Sequence, residues 1–167
     1  MTDSANAIAR PQARINFIYL HATDMEEMRA FYKDALGCSE IHYRAEDANG
    51  FGWSVIDMGS FQFMIHPGRT AVKQDGWCMQ PGWDGGTIPG ISWSLVVSNE
   101  AFTGCVARLK EMQAPAFHQQ PQWCQDSYWS YPVQDPMGNT VELHCIPDER
   151  PESTEWEDQE VSPAKQD

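Results

Sequence analysis

The sequence predicts an α+β protein built from two copies of a βαβββ module. Strand-like runs begin near residues 14 and 91, and each leads into a helical pattern that three further strand-like segments follow. The last turn of the unit also recurs, because IDMGSFQFMI (56–65) aligns with QDPMGNTVELH (134–144) around its Asp, Met and Gly. An internal repeat of this kind indicates two related modules in one chain.

The first module covers residues 14–67. Its opening run RINFIYLHA (14–22) is rich in β-branched and aromatic residues, which favours a strand. The pattern TDME (23–26) is typical of a helix start, and Gly37 is suited to the left-handed position that ends a helix. Three more strands are expected, at 39–46, 51–58 and 60–66. Apolar residues recur at helical spacing between these signals, at Met25, Met28, Tyr32 and Leu36.

The second module covers residues 90–146 and repeats that order. ISWSLVV (91–97) reads as a strand, and Ser98 can cap a helix that runs to about Gln113. One face of this helix carries the apolar residues Phe102, Val106, Leu109 and Met112. Three strands are then expected, at 115–119, 127–134 and 140–146.

Three segments lie outside the modules. Residues 1–13 are expected to be disordered, and residues 68–89 form a Gly- and Trp-rich connecting loop of a length typical of lids or mobile connectors. Residues 147–167 contain eight acidic and two basic residues and few apolar ones, which predicts an acidic disordered tail.

Composition excludes several classes of function. The 167 residues are 41% hydrophobic and 21% charged, as in an ordinary soluble domain. Of the net charge of −13, −6 belongs to residues 147–167, and the remaining −7 argues against nucleic-acid and anionic-membrane partners. No apolar run has the length of a membrane span or the pattern of a secretory signal, so a cytoplasmic location is expected. The five cysteines are odd in number and form no CxxC pair, which argues against a disulfide framework or a structural zinc site.

The last predicted strand raises the question of function. Alternation places Glu142 and His144 on one face, while Val141 and Leu143 point the other way. An anion beside an imidazole on an apolar strand is compatible with half of a metal site or with a pair that binds no metal. The sequence contains no GxSxG, HExxH or phosphate-binding glycine loop that would favour another chemistry.

The paired modules, with YLHATDMEEMRAFYKDALG in the first and DPMGNTVEL in the second, resemble the vicinal oxygen chelate superfamily over residues 14–146. This superfamily includes glyoxalase I, extradiol dioxygenases, fosfomycin-modifying enzymes and bleomycin-resistance proteins. The resemblance implies that the modules form a curved, mostly antiparallel sheet around a cavity. It also implies a homodimer, often with modules exchanged between subunits.

Metal enzymes of this superfamily hold a divalent ion with side chains from the first and last strands of each module. The resemblance places those positions at Phe17, Phe63, Trp93 and Glu142, of which only Glu142 can bind a metal. We therefore expect no metal cofactor. A divalent metal remains the alternative, in a displaced site made of His21, Glu142 and His144.

The leading hypothesis is a metal-free protein that sequesters a small aromatic or cationic molecule, as the bleomycin-resistance branch does. The expected ligand-binding residues are Phe17, Tyr19, His21, Phe63, Trp93, Trp129, Tyr131, Glu142 and His144. The alternative is a lyase, isomerase or dioxygenase with Glu142 and His144 as candidate catalytic groups, either through acid/base chemistry or through the displaced metal site. A third option is that Glu142 is purely structural and side chains fill the cavity.

Overall fold

The computed structural model describes residues 14–157. The disorder expected for residues 1–13 and for the last part of the tail, 158–167, concerns residues outside this range. The observed elements confirm the two βαβββ modules. They are β1 (Phe17–Ala22), α1 (Met25–Arg29), a π-helical continuation of α1 (Ala30–Ala35), β2 (Glu40–Arg44), β3 (Trp53–Asp57), β4 (Gln62–Pro67), β5 (Trp93–Val96), α2 (Asn99–Glu111), β6 (Gln122–Cys124), β7 (Tyr128–Gln134) and β8 (Thr140–Cys145).

Each module forms one four-stranded mixed sheet. The strand orders are β1-β4-β3-β2 and β5-β8-β7-β6, so the opening strand of each module lies beside its closing strand. These two strands are parallel, and the other pairs in each sheet are antiparallel. The sheets stay open instead of closing into a barrel, and the α+β prediction is confirmed.

The helices begin where the sequence predicts. Asp24 accepts hydrogen bonds from the backbone N–H groups of Glu26 and Glu27, at 2.9 and 3.0 Å, and Ser98 caps α2 in the same way. Gly37 follows the first helix with φ +73°, the left-handed conformation expected of it. No helix within residues 14–157 is long and apolar enough to cross a bilayer.

The strand expected at 115–119 is wrong. This segment makes only an isolated bridge between Ala116 and Val133, and the sixth strand lies at Gln122–Cys124. Pro115 and Pro121 bracket the segment, and a proline has no N–H to donate to a sheet ladder. The segment therefore contacts β7 at one bridge, and a continuous ladder with β7 begins only after the second proline.

The helices cover one side of each sheet, called here the helix side, and the core lies there. The two modules meet on this side. Tyr32 donates a hydrogen bond to Asp135 at 2.9 Å, and Arg108 donates to the backbone oxygen of Ala35 at 2.8 Å. Asp135 is 1% exposed and belongs to the turn before β8. The first module therefore helps to position the strand that carries Glu142.

The opposite sides of the sheets, called here the open faces, differ between the modules. The connecting segment lies across the open face of the second sheet, where Cys78 N–H donates to Thr140 Oγ1 at 2.9 Å and Gln134 donates to the Gly76 oxygen at 2.6 Å. The open face of the first sheet remains exposed, with Tyr19 61% accessible. The two modules are alike in topology but not in what covers them.

The described part of the tail, residues 147–157, packs against the second module. Trp156 contacts the rings of Phe102 and Trp129, with centroids at 5.4 and 5.0 Å. Composition alone predicted disorder from residue 147, because acidic residues and prolines outnumber the apolar ones. Trp156 and the ion pair between Arg150 and Asp126 attach this part of the segment to the second module.

Candidate functional site

Glu142 lies in β8 on the open face of the second sheet and is only 5% exposed. Its Oε1 accepts hydrogen bonds from Ser130 Oγ at 2.7 Å and Tyr128 Oη at 3.3 Å, and its Oε2 accepts from Ser94 Oγ at 3.0 Å. The strand register places Ser94 directly opposite Glu142 on β5. Burial, followed by the nearby charge of Glu142, raises the pKa of Tyr128, so the phenol keeps its proton and remains a donor. The carboxylate is therefore stabilised by neutral hydroxyls.

His144 reaches Glu142 through a hydroxyl and not directly. Its Nδ1 lies 2.8 Å from Ser94 Oγ, and its ring packs edge-on against Tyr128 at a centroid distance of 5.5 Å. Burial lowers the pKa of His144, and the negative charge of Glu142 opposes that shift. Ser94 therefore bridges a buried carboxylate and a half-buried imidazole.

Gly82, in the connecting segment, covers the carboxylate. A Cβ atom at this position would lie 2.6 Å from Tyr128 Oη and 3.2 Å from each carboxylate oxygen of Glu142. The backbone oxygen of Gly82 also accepts a hydrogen bond from Tyr128 Oη at 2.5 Å. A residue without a side chain is required for this close approach.

A cavity of about 370 Å³ lies between segment 81–84 and the strands β6 and β7. Trp83 packs against Phe117, with centroids 4.6 Å apart. The ring of Trp123 lies on the helix side with its register partner Trp129 and donates its indole N–H to Asp126 at 3.0 Å. The lining residues are Pro81, Gly82, Trp83, Asp84, His118, Gln122, Trp123, Cys124, Gln125, Ser130 and Pro132. Ser130 joins this cavity to Glu142.

The cavity is electronegative. Burial raises the pKa of Cys124, and the carboxylates of Glu142 and Asp84 raise it further. Cys124 is therefore a protonated thiol near neutral pH and lacks the electropositive setting of a nucleophilic cysteine. Neither Lys nor Arg lines the cavity within the described part of the chain.

Comparison with solved structures identifies the fold. A glyoxalase/dioxygenase from Nostoc punctiforme superposes with a TM-score of 0.57 at 17% identity, covering 87% of this chain and all of the other. The fosfomycin resistance protein FosX from Listeria monocytogenes gives 0.55 at 13% identity, over 84% of this chain and 97% of its own. A lactoylglutathione lyase from Agrobacterium tumefaciens gives 0.50 at 20% identity, over 81% and 96%. The chain has the vicinal oxygen chelate fold. No protein-family model matches the sequence, and no curated protein matches it.

Within the vicinal oxygen chelate fold, the aromatic residues expected around Glu142 on the second sheet lie on the wrong face. Trp93, Trp129 and Tyr131 point to the helix side, because they are one residue out of phase with Ser94, Ser130 and Pro132 in the strand register. Trp129 and Tyr131 are part of the buried core, and Trp93 packs against it. A one-residue change of phase moves a side chain to the other face of a sheet.

In the first sheet, the expected position of Phe63 on the open face is also wrong. Phe63 is fully buried in the core, 5.1 Å from the ring of Trp93, and Met64 occupies the open face instead. Aligning the two repeat turns on their glycines gives Phe63, whereas aligning them on Asp57 and Asp135 gives Met64. The two turns differ in length between Asp and Gly, and the alignment on Asp gives the residue on the open face.

Phe17, Tyr19 and His21 do share the open face of the first sheet, as alternation predicts. Tyr19 and His21 both stack on His66, with centroids at 6.1 and 5.9 Å. None of them lines the cavity beside Glu142 in the described chain. The predicted ligand-binding set is therefore divided between two sheets and the core.

The residues present do not fit a divalent transition metal. The donors around Glu142 are hydroxyls, and among residues 14–157 no group of three His, Cys, Asp or Glu side chains could hold an ion. His21, expected in the displaced site, stacks on His66 of the first sheet and does not join Glu142 and His144. The displaced site is not assembled in this part of the chain.

Sequence reasoning missed most of the cavity. Trp83, Asp84 and Trp123 come from a loop and from a three-residue edge strand, where periodicity carries no signal. Ser94 and Ser130 could have been predicted as neighbours of Glu142, because they face the same side of the sheet once the strand pairing is known.

Proposed function

We propose that the protein binds a small aromatic or cationic molecule in the cavity between segment 81–84 and strands β6 and β7, and changes no bond in it. The main support for this proposal is the set of residues that line the cavity. Trp83 and Asp84 line a space of about 370 Å³, together with the open-face residues Gln122, Cys124, Ser130 and Pro132. Indole faces and a carboxylate both attract cations, and the volume is typical of a site for a small molecule.

Glu142 would act on such a ligand mainly through its electric field. Its oxygens are occupied by three hydroxyls and covered by Gly82, so direct contact with a ligand requires this arrangement to open. Ser130 and Gly82 both lie against Glu142 and line the cavity. Because the protein interior screens charge weakly, the buried negative charge of Glu142 favours a positively charged ligand in the cavity.

The comparisons include both a resistance protein and an enzyme, a lactoylglutathione lyase, so they are compatible with a binding role and do not select it. FosX is a fosfomycin resistance protein, and it shares the fold at 13% identity. Proteins that sequester a toxic compound need affinity and no catalytic group, which agrees with a donor set unsuited to a metal. The cytoplasm is the compartment we propose for this activity.

A homodimer is part of the proposal. The open face of the first sheet exposes Tyr19, and the edge strands β1 and β5 lie beside exposed apolar residues such as Ile15 and Ile91. Exposed apolar side chains next to a free sheet edge favour association with another chain. A second copy would cover these surfaces.

Two matched probes test the binding proposal. Phenyltrimethylammonium and its neutral isostere tert-butylbenzene have the same shape and differ in charge, so the cation is expected to raise the thermal midpoint more at equal concentration. Asp84→Asn should weaken binding of the cation by roughly three- to tenfold in calorimetry, as expected for one partly screened charge. Asp75→Asn is the control, because Asp75 belongs to the connecting segment 68–89 but does not line the cavity. Stabilisation by neither probe would contradict the proposal, and equal stabilisation by both would contradict the role given to charge.

An acid/base enzyme is a second candidate, and the position of Ser94 favours it. Its hydroxyl lies 3.0 Å from Glu142 Oε2 and 2.8 Å from His144 Nδ1, so a proton could pass between carboxylate and imidazole. A neutral imidazole at pH 7 can accept a proton from a carbon next to a carbonyl. Turnover of such a substrate that is lost in Ser94→Ala, with binding retained, would favour this function over sequestration.

A further inference from the structure

Glu142 is covered by a short flap, defined here as residues 80–82 of the connecting segment. A Cβ atom at Gly82 would lie 3.2 Å from each carboxylate oxygen of Glu142, and the glutamate is 5% exposed. Gly82 also lines the cavity. Movement of the flap away from the sheet would therefore add the carboxylate to the cavity lining.

The chain is fixed on both sides of the flap. Before it, Cys78 pairs with Ile88 in an isolated bridge, and its N–H donates to Thr140 Oγ1 at 2.9 Å. After it, Trp83 is 6% exposed and packs on Phe117 with centroids 4.6 Å apart. The flap can therefore move as a short unit between two anchored points.

Side-chain hydrogen bonds hold the flap to the sheet. Tyr128 Oη donates to the Gly82 oxygen at 2.5 Å, and Gln125 Nε2 donates to two flap carbonyl oxygens at 3.2 and 3.3 Å. Gln80, within the flap, donates to the Trp93 oxygen at 3.3 Å. Segments held by a few such bonds open locally at a lower free energy than the strands beneath them.

Tyr128 has one proton and two acceptors. Its Oη lies 2.5 Å from the Gly82 oxygen and 3.3 Å from Glu142 Oε1, so the carbonyl receives the shorter bond while the flap is closed. When the carbonyl moves away, the same proton can turn to the carboxylate, and a hydrogen bond to a charged acceptor is stronger than one to a neutral acceptor. The bond lost on opening is therefore replaced, which lowers the cost of the open form.

We propose that the flap opens to give a cationic ligand direct access to Glu142, and that Tyr128 and Gln125 hold it closed. In the closed form Glu142 acts on the cavity through its charge. In the open form its carboxylate forms an ion pair with the ligand. The opening concerns the free protein, and only the class of ligand rests on the proposed function.

Two variants favour the open form in different ways. Gly82→Ala adds a Cβ that would lie 2.6 Å from Tyr128 Oη, so the flap must move, and the φ of Gly82 is not positive, so the backbone accepts alanine. Gln125→Asn shortens the side chain that donates to the flap. Asparagine tolerates the left-handed φ of 51° at this position.

Each variant has a matched control in the full chain. Gly104→Ala places a Cβ in α2, where the nearest atom is the end of the Arg108 side chain at 3.2 Å. Gln113→Asn makes the same change as Gln125→Asn at a residue with φ 57°, after α2 and outside the cavity lining.

The direct readout is carboxyl labelling with a water-soluble carbodiimide and glycine ethyl ester, followed by mass spectrometry of the peptide that contains Glu142. The rate is divided by that of Glu111, an exposed glutamate of the same chain. Labelling of Glu142 is expected to rise roughly two- to tenfold in Gln125→Asn, the change in open population for one net hydrogen bond, and further in Gly82→Ala. Both controls should keep the wild-type rate.

Hydrogen exchange tests whether the opening is local. Peptides that cover residues 79–84 should exchange faster in both test variants, while β7 and β8 keep their wild-type protection. An unchanged labelling rate of Glu142 in both test variants overturns the inference. A faster rate accompanied by faster exchange throughout β7 and β8 also overturns it, because the sheet then opens as a whole.

The outcomes are separable from those of the binding proposal. Local opening in a protein that phenyltrimethylammonium never stabilises supports the flap and contradicts the binding function. Stabilisation by this cation with unchanged labelling of Glu142 supports the binding function and contradicts the flap. If Gly82→Ala does not fold, Gln125→Asn decides the question alone, because it changes an exposed side chain.

Discussion

Replacement of Glu142 by Gln tests whether the buried carboxylate stabilises the fold. The side chain keeps its shape but loses its charge and one acceptor oxygen. In the wild type, Oε1 accepts from Ser130 and Tyr128 while Oε2 accepts from Ser94. In the variant, the amide oxygen can retain the first two donors, and the amide nitrogen then faces the hydroxyl of Ser94.

The magnitude follows from this exchange. Hydrogen bonds to a charged group contribute about 1.5–3 kcal/mol each, and those between neutral groups about 0.5–1.5 kcal/mol. Ser94 can accept from the new amide and donate to His144 Nδ1, 2.8 Å away, so its bond is replaced and not lost. The expected net loss is therefore about 1–2 kcal/mol, mainly for the weaker bond from Ser130, because the one proton of Tyr128 is directed chiefly to the Gly82 oxygen. Glu142→Leu should cost more, because it leaves the fully buried Ser130 hydroxyl without its acceptor.

Urea unfolding at pH 7 measures this loss as a lower midpoint with an unchanged slope. Glu111→Gln, at an exposed position near the end of α2, is the control and should stay within about 0.5 kcal/mol of wild type. A Glu142→Gln protein as stable as wild type, or more stable, would refute the reasoning that hydroxyl donors stabilise the Glu142 carboxylate.

Three further outcomes are expected. Burial lowers the pKa of His144 below its usual 6.5 in the folded state, so the unfolded chain binds the proton more readily. The free energy of unfolding should therefore fall as pH decreases through 6.5. In urea unfolding curves measured at several pH values, His144→Asn should flatten this dependence, while His42→Asn, at an exposed position, should not. Tyr32→Phe removes a buried bond to a carboxylate between the modules and should cost about 1.5–3 kcal/mol, against almost nothing for exposed Tyr19→Phe; equal effects would contradict the contact as a link between modules. Elemental analysis of protein purified without chelator should find zinc, nickel, iron and manganese well below one per chain, and stoichiometric metal lost in Glu142→Ala would overturn the metal-free proposal.

Local sequence signals predicted the modules well, because each signal acts within a few residues. The helix starts at Asp24 and Ser98 depend on side chains that bond to the next turn of backbone. The expected strand at 115–119 failed for a reason that was also local, since Pro115 and Pro121 remove donors that a ladder needs. The order and type of the helices and strands could therefore be predicted from the sequence, apart from the segment 115–119.

The candidate site was readable only in part. Alternation correctly placed Glu142 and His144 on one face, yet the residues that surround them depend on which strands pair and in what register. That register put Ser94 opposite Glu142 and sent Trp93 to the helix side. A repeat aligned on glycine made the matching error at Phe63, because a turn one residue longer or shorter reverses every side chain after it.

The sequence by itself determined the two βαβββ modules, the helix boundaries and the phase of the strand that carries Glu142, because all of these follow from contacts between near neighbours in the chain. Tertiary structure alone decided that the connecting segment covers the open face of the second sheet and that Trp83 and Asp84 lie beside a cavity at strands β6 and β7. It also decided that Trp156 packs on Trp129 on the helix side of that sheet. These contacts join residues far apart in sequence, and only the packing of one segment against another selects which of them meet.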